Sequence, residues 1–516
     1  MIDAVKHIVN APAANAGADM EDDLHERALL ASVSPAGWIN PAPGTVYPLL
    51  VIGAGPGGLA AARAAAAAGV KVALIERYRL GGGSLSYGCV PSKAIIRTAR
   101  MYADMRDAPS FGAVAPPATE VDFRMAMDRL RGIRARASRV VSAARLRAEG
   151  IDLYFGVAHF VAGDAVEVNG ERVRFRKALI ATGSRSIVPE IAGLTEVGYL
   201  TNLSVFNLTL SPRSLLVIGG GPLGCELAQA FSRLGVRTVI AHDAPLFLPK
   251  EERDAAQLIS DALARDGVEI HLNSDAVSAR MEHGCKVVEL LNDGQSATVV
   301  VDEILTGIGH RPAVRALRLE AASVAYDPEA GVHVDDFLRT SNPRIYAAGD
   351  ACMEHKYSNI AVASARLAVH NALCLRRRRM SSLTIPRCTY TDPEVAHIGL
   401  SVRQARERRI PVKTFTVPLH DNIRAIADGE EDGFVKIHIR EGSDTILGAT
   451  IVARHAGEMI NGISLAMVAG IGLGTLATVV HAHPTQGEAI KRAGEAYLRT
   501  RPPSLLARLL RAWARR

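Results

Sequence analysis

The stretch YPLLVIGAGPGGLAAARAAAAAGVKVALIER, residues 47–77, decides the fold. A short apolar strand runs into a glycine turn, an alanine-rich helix follows, and a second apolar strand ends in an acid, Glu76. Gly53, Gly55 and Gly58 spell G-x-G-x-x-G. Glycine lets the backbone turn this tightly and lets a pyrophosphate sit on the helix N-terminus. Glu76 falls about 20 residues further on, where a carboxylate meets the hydroxyls of a ribose. The glycine pattern alone is common; with strand, helix and acid all in place it predicts a dinucleotide-binding unit.

The pattern recurs. SPRSLLVIGGGPLGCELAQAFSRLGVRTVIAHD, residues 211–243, repeats strand, glycine turn (Gly219, Gly221, Gly224), helix and strand. Where the first copy has Glu76, the second has His242. Without a carboxylate there, a 2′-phosphate is not repelled, and Arg237 or His242 is placed to contact it; this favours NADPH. The competing reading gives the ribose to Asp243 and the preference to NADH. Two dinucleotide folds in one chain suggest a nicotinamide and a flavin held end to end, NADPH or NADH with FAD. Two further strands support this. ALIATGS (178–184) carries Thr182 and Gly183, small residues that let backbone approach a cofactor. IYAAGDA (345–351) ends near Asp350, an acceptor for a ribitol hydroxyl, ahead of a helix expected to begin near Ser358.

The chain has 516 residues with 48% hydrophobic composition, too long for one core and suited to about three domains. Glycine is abundant (45) and tryptophan scarce (2), as expected of α/β architecture with tight strand-to-helix turns. The net charge of +7 says little about partners. Six cysteines without regular spacing make no disulfide framework, so a reducing, cytoplasmic setting is expected, and no metal site. Residues 1–20 lack the apolar core of a signal peptide. The arginines 376–379 read as a solvated linker; no nucleic-acid binding is expected without aromatics nearby. The end, PPSLLARLLRAWARR, reads as a cationic amphipathic helix with Leu505, Leu506, Leu509, Leu510 and Trp513 on one face. Docking on the protein's own surface is the simpler expectation for it, and contact with a membrane surface the alternative.

Between the two glycine turns lies GGGSLSYGCVPSKAIIRTAR, residues 81–100, with one cysteine, Cys89, before V-P-S-K. The order G-x-G-x-x-G, G-C-V-P-S-K, A-T-G, second G-x-G-x-x-G, A-G-D and a late H-P-T-x-x-E resembles the flavoprotein disulfide reductases, which include dihydrolipoamide dehydrogenase, glutathione reductase and mercuric reductase. The likeness runs from about residue 48 to 497; YTDPEVAHIGL and the arm ALLASVSPAGWINPAP lean to the mercuric-reductase-like branch. It implies two Rossmann-like dinucleotide-binding domains plus a C-terminal α+β dimerisation domain. The expected boundaries are an N-terminal arm (1–47), a discontinuous FAD domain (48–190 and 315–380), an NAD(P) domain (191–314), a dimerisation domain (384–497) and the tail (498–516). The resemblance also implies roles. Lys93 and Glu226 match the ion pair beside the flavin and the nicotinamide, Cys89 matches the thiol next to the flavin, and His483 and Glu488 match an acid–base dyad that a partner subunit contributes in a homodimer. A helix start and a nearby lysine favour the thiolate of such a cysteine.

The departures carry equal weight. Five residues before Cys89, where relatives hold the second redox cysteine, stands Ser84. The sequence also closes on AWARR rather than the vicinal cysteine pair of mercuric reductases and contains no C-x-x-C, so mercury detoxification is not expected. A lone thiol leaves four readings. Electrons pass from NAD(P)H through FAD to Cys89 held as a sulfenic acid or a mixed disulfide. Or Cys89 only tunes the flavin, and a quinone or dye is the small-molecule acceptor. Or the serine is an engineered replacement of a cysteine. Or the protein is a non-catalytic, nucleotide-responsive dimer. Lys93, Glu226, His483 and Glu488 favour an enzyme, because a sensor needs no acid–base dyad.

Overall fold

The computed structural model describes residues 23–44, 46–114, 120–501 and 514. Its contacts divide the chain into two units, one of residues up to 245 with 266–383, the other of 246–265 with 384 onward.

In the first unit, α1 (Leu24–Val33) precedes β1 (Tyr47–Ile52), α2 (Pro56–Ala67) and β2 (Val72–Glu76). Then come α3 (Cys89–Asp107), α4 (Phe123–Ser138), β3 (Asp152–Phe155) and the long β4 (Glu171–Ile180). A second strand–helix–strand follows as β5 (Ser214–Ile218), α5 (Pro222–Arg233) and β6 (Arg237–Ala241), then β7 (Glu269–His271), β8 (Glu303–Thr306), β9 (Ile345–Ala347) and α6 (Ser358–Leu373). β1 lies between β2 and β4, with β3 and β9 outside them, and all these pairings are parallel. Both faces of a parallel sheet are covered, so its strands read as continuous apolar runs. Alternation nevertheless sorts their side chains: Leu49, Val51 and Leu74 join one core cluster, Leu50, Ile52, Ala73 and Ile75 the other. The second copy makes its own parallel sheet in the order β7, β6, β5, β8.

The glycine spacing has a steric cause. Gly53 has φ +99°, and a Cβ on it would lie 2.4 Å from the Ala181 carbonyl oxygen. A Cβ on Gly58 would lie 1.7 Å from the Gly53 oxygen. The duplicate behaves alike, with a Cβ on Gly224 falling 2.0 Å from the Gly219 oxygen. In each copy the helix starts against the end of its strand, closer than any side chain permits.

The arm is more than a leader. Asp23 caps α1 through the N–H groups of His25 and Glu26, and Leu29 and Val33 are buried in the core. Buried Glu26 takes Arg79 at 2.8 Å and Arg134 at 3.2 Å. The Trp38 indole donates to Leu153 O at 3.1 Å, and Asn40 exchanges bonds with both backbone groups of Phe155, which seals the edge at β3.

The second unit is a five-stranded antiparallel sheet. β10 (Arg387–Thr389), β11 (Glu394–Gly399), β12 (Val412–Pro418), β13 (Phe434–Arg440) and β14 (Ile446–Ala453) are arranged in the order β10, β11, β14, β13, β12. α7 (Ala456–Val468) and α8 (Glu488–Arg499) pack into its core through Ile460, Ile463, Ala489, Ile490 and Ala493. By its contacts the helix Arg253–Arg265 groups with this unit, although its sequence falls within the 191–314 segment. Charge explains the attachment. Glu251 pairs with Arg387 at 2.7 Å, Asp254 with Lys436, and Glu252 accepts the Val402 N–H at 2.9 Å and faces buried His438 at 3.4 Å. Burial alone would raise the Glu252 carboxyl, but His438 and the Val402 N–H outweigh it and hold it at about 2. Among the described residues no helix is long and apolar enough to cross a membrane. The amphipathic tail helix expected after residue 501 lies outside the described residues.

His397 gives this unit a pH signature. Its ring accepts from Thr450 Oγ1 at Nδ1 (2.8 Å) and donates to Gly399 O from Nε2 (3.0 Å), so the neutral form is fully satisfied. Burial, reinforced by Arg387, pushes its pKa down to about 3. A folded pKa below the unfolded one means that the unfolded chain binds the extra proton first. The neutral-form stability is therefore complete above the ordinary histidine pKa and declines as pH falls from about 6.5 toward 3. Unfolding of wild type and His397→Gln, compared from about pH 7 to about pH 5, should show the wild type losing an additional ~1.4 kcal/mol per pH unit below about 6.5.

Candidate active site

The first glycine turn forms a seat for a phosphate. A Cβ on Gly55 would meet nothing within 4 Å, α2 begins without a side-chain cap, and Pro56 holds its first position. Glu76 is buried at the end of β2 and accepts the N–H groups of Ala54 and Tyr78, both at 2.8 Å; burial still pushes its carboxyl up. Beyond β4, Gly183 has φ +70°, and Thr182 Oγ1 is buried without a hydrogen-bond partner. Asp350 accepts from the Ser184 hydroxyl at 2.6 Å, and α6 starts at Ser358 as expected. An orphaned hydroxyl, open space over a helix N-terminus and two acids on the same rim suit the phosphates and hydroxyls of FAD.

The second turn repeats this with one exchange. The Gly220 N–H donates to His242 Nδ1 at 3.2 Å, the counterpart of Ala54 donating to Glu76. Asp243 lies 3.1 Å from the same nitrogen. The space over Gly221 is also open, with only the Gly307 oxygen, at 4.0 Å, near a Cβ built there. Arg237 opens β6, about 16 Å of strand before His242, and its guanidinium is taken by Glu269 and Val300 O, both at 3.2 Å. Dinucleotides sit at the carboxyl ends of the strands, whereas Arg237 lies at the amino end of β6.

The sulfur loop lies beside the first seat. Gly82–Ser86 make a helical turn, and a Cβ on Gly88 would lie 3.1 Å from Gly83 O and 3.5 Å from Ser84 Cα. The chain thus folds back so that Ser84 adjoins the start of α3. Cys89 is exposed at the first position of α3, and its Sγ is 3.5 Å from the Ser358 hydroxyl, at the first position of α6. Sequence reading placed a helix start at Ser358 but gave that residue no role; a contact across 269 positions leaves no local signal. Lys93, four residues after Cys89 and on the same helix face, pairs with buried Glu226 at 2.7 Å. Glu226 comes from α5 of the second dinucleotide fold, so this ion pair ties the two folds together. The loop is braced from below: Arg134 donates to Ser86 O at 3.3 Å and to Asn207 Oδ1 at 3.2 Å while pairing with Glu26 of the arm.

In the C-terminal unit, His483 Nδ1 lies 3.0 and 3.1 Å from the two oxygens of Glu488, the first residue of α8. The Thr485 N–H adds a bond at 3.4 Å. The hydrogen bond from His483 lowers the Glu488 carboxyl. A carboxylate on Nδ1 fixes the orientation of the ring and leaves Nε2 out of the contact.

Residues 47–368 match the pyridine nucleotide-disulphide oxidoreductase family, and residues 385–494 match its dimerisation domain, which supports a homodimer. The chain is 30% identical to a mercuric reductase of Staphylococcus aureus over 449 residues, 87% of this chain and 82% of that one. It is 33% identical to a dihydrolipoyl dehydrogenase of Geobacillus stearothermophilus over 461 residues, 87% of this chain and 96% of that one. Among solved structures it resembles RclA, a HOCl-induced flavoprotein disulfide reductase from Escherichia coli, with TM-score 0.77 and 27% identity over 86% of this chain and 99% of that one. It also resembles LpdA from Mycobacterium tuberculosis, with TM-score 0.78 and 26% identity over 87% and 99%. The chain therefore belongs to the pyridine nucleotide-disulphide oxidoreductase family and is an FAD- and NAD(P)H-dependent oxidoreductase acting on sulfur groups.

Proposed function

We propose that the enzyme reduces sulfur carried on Cys89 alone, as a mixed disulfide with a small thiol or as a sulfenic acid, with electrons from NADPH. The observation that supports this is the surround of the thiol. Its polar neighbour is a hydroxyl, Ser358, the residue five positions before it is Ser84, and the dyad that protonates a leaving group is intact. For the mixed disulfide, the S–S bond breaks; NADPH and one proton yield NADP⁺, the Cys89 thiol and the free small thiol. For the sulfenic acid, the S–O bond breaks and the same inputs yield NADP⁺, the thiol and water.

Bound FAD supplies the two-electron path between nicotinamide and sulfur. Lys93, fixed by Glu226, sets a positive charge on the helix face of Cys89. Ser358 offers the sulfur a hydrogen bond in place of the absent second thiol. His483, oriented by Glu488, delivers the proton to the departing sulfur or oxygen.

His483→Ala should slow turnover with disulfide or peroxide acceptors by about 10²–10⁴-fold and leave quinone reduction nearly intact, since no sulfur leaving group is protonated there. Steady-state kinetics with both acceptor types measure this. Equal loss with both would make the histidine structural, and activity with quinones alone would favour a dye reductase in which Cys89 only tunes the flavin.

Ser84→Cys should restore a bridge to Cys89. In an anaerobic dithionite titration followed by absorbance, the natural protein, freed of adducts on Cys89, should take up one two-electron equivalent. The variant should take up two and, half reduced, show the long-wavelength band of a thiolate against oxidised flavin. A natural protein that already takes two equivalents would reveal a second redox centre and overturn the single-thiol reading.

His242→Glu should lower the NADPH-over-NADH ratio of kcat/KM by about tenfold or more, because a carboxylate there repels a 2′-phosphate and accepts from a ribose hydroxyl. An unchanged ratio would assign the discrimination to Asp243 or to backbone.

A further inference from the structure

The four arginines after α6 are part of the folded first unit. Buried Asn371 donates to Arg378 O at 2.8 Å and to Phe337 O at 2.9 Å, and accepts the Arg378 N–H at 2.8 Å. The His370 ring donates to Arg376 O at 2.8 Å. The turn is therefore pinned, and its guanidinium groups project from a fixed backbone. Arg379 faces Asp336 at 3.6 Å. Arg376, Arg377 and Arg378 are exposed and have no ion pair among the described residues, and the same holds for neighbouring Arg344. Lys177 completes the patch with its ammonium on Pro343 O at 3.0 Å. The field there is positive enough to show: burial first, then Arg344, Arg377 and Arg339, hold the Lys177 ammonium below its usual range. Immediately before the arginines, Leu375 is fully exposed.

We propose that this arginine turn, with Lys177 and Arg344, is a docking surface for an anionic phospholipid bilayer. Uncompensated cations on a rigid frame meet a surface of phosphates, and an adjoining apolar side chain meets the boundary between headgroups and acyl chains. Nucleic acid is the less suited polyanion. Single strands are held by stacking on exposed aromatics, and the aromatic at this turn, Phe337, is half-buried beneath Arg379, whose guanidinium lies 5.5 Å from its ring centre.

The test is co-sedimentation of the flavin-loaded full chain with vesicles of equimolar phosphatidylglycerol and phosphatidylcholine, against phosphatidylcholine alone. Binding is expected only to the anionic vesicles, weakening as salt is raised. The triple variant Arg376→Gln, Arg377→Gln, Arg378→Gln should bind about a hundredfold more weakly, at roughly fivefold per arginine near such a surface. The corresponding triple lysine variant should keep most of the binding. Unchanged flavin absorbance and oligomer mass show that each variant is folded, and Leu375→Ser should weaken binding further without altering the salt dependence. A form lacking residues 502–516 should still bind anionic vesicles and still respond to the triple substitution. The proposal is overturned if the natural protein ignores anionic vesicles, if the glutamine variant binds as well as the natural protein, or if loss of 502–516 alone abolishes binding. Tighter binding to duplex DNA than to vesicles, weakened by the same glutamine substitutions, would reassign the surface to nucleic acid.

Discussion

The contact on which the first unit depends is that between the beginning of a helix and the end of the strand before it. At Gly58 and Gly224 a single methyl group would lie 1.7 and 2.0 Å from a backbone oxygen. No movement confined to a side chain relieves such an overlap, because the obstacle is backbone. The approach aligns the first unpaired N–H groups of α2 and α5 with open space over Gly55 and Gly221. The space suited to a phosphate is thus a consequence of how the helix packs, and the same close approach that shapes the fold also shapes both glycine turns.

The reacting centre is assembled from elements that this packing has already fixed. α3 carries both Cys89 and Lys93, α5 carries Glu226, and α6 begins with Ser358. The 2.7 Å pair between Lys93 and Glu226 is half-buried, with side-chain exposures of 34% and 5%. Removing Lys93 would strand the Glu226 carboxylate away from water, which costs more than the pair contributes in net stability. The pair accordingly fixes the register between the two dinucleotide folds beside Cys89. The arm reinforces the same loop from the other side, because Glu26 shares one carboxylate between Arg79 and Arg134, and Arg134 reaches the carbonyl of Ser86.

What the sequence made legible was local. Both strand–turn–helix–strand units, the strands ending in A-T-G and before A-G-D, the start of α6 and the strands and helices after residue 384 follow from hydrophobic pattern and glycine placement within a few tens of residues. The ion pair and the dyad were reachable only through the likeness to known reductases, since nothing near Lys93 points to Glu226. What escaped was set by tertiary placement. Arg237 looked suitable as a basic residue close in sequence to the carboxylate-free position 242, yet strand direction puts it at the amino end of β6. The helix Arg253–Arg265 follows a dinucleotide strand in sequence, yet Glu251, Glu252 and Asp254 bind it to the C-terminal sheet. The arm has the composition of a leader, yet two apolar side chains and one shared carboxylate anchor it.

The exchange of sulfur for oxygen at Ser84 acquires its meaning from what was kept. A serine has nearly the shape of a cysteine, so the loop Gly82–Ser86 retains its turn and Gly88 still lies against Gly83 and Ser84. Its chemistry is another matter: a hydroxyl can donate or accept a hydrogen bond but can neither bridge to Cys89 nor store two electrons. Had the redox role of this loop been abandoned altogether, nothing would hold a solvent-facing thiol at a helix start, four residues from a fixed lysine, with a second hydroxyl at 3.5 Å. The exposed His483 also keeps a two-oxygen contact with Glu488. These retained groups support the proposal that the second sulfur comes with the substrate or that Cys89 itself carries the oxygen. The loop keeps its turn, its single thiol and the lysine fixed beside it while losing the internal sulfur, and that combination supports the proposal that the substrate itself completes the bond to be broken.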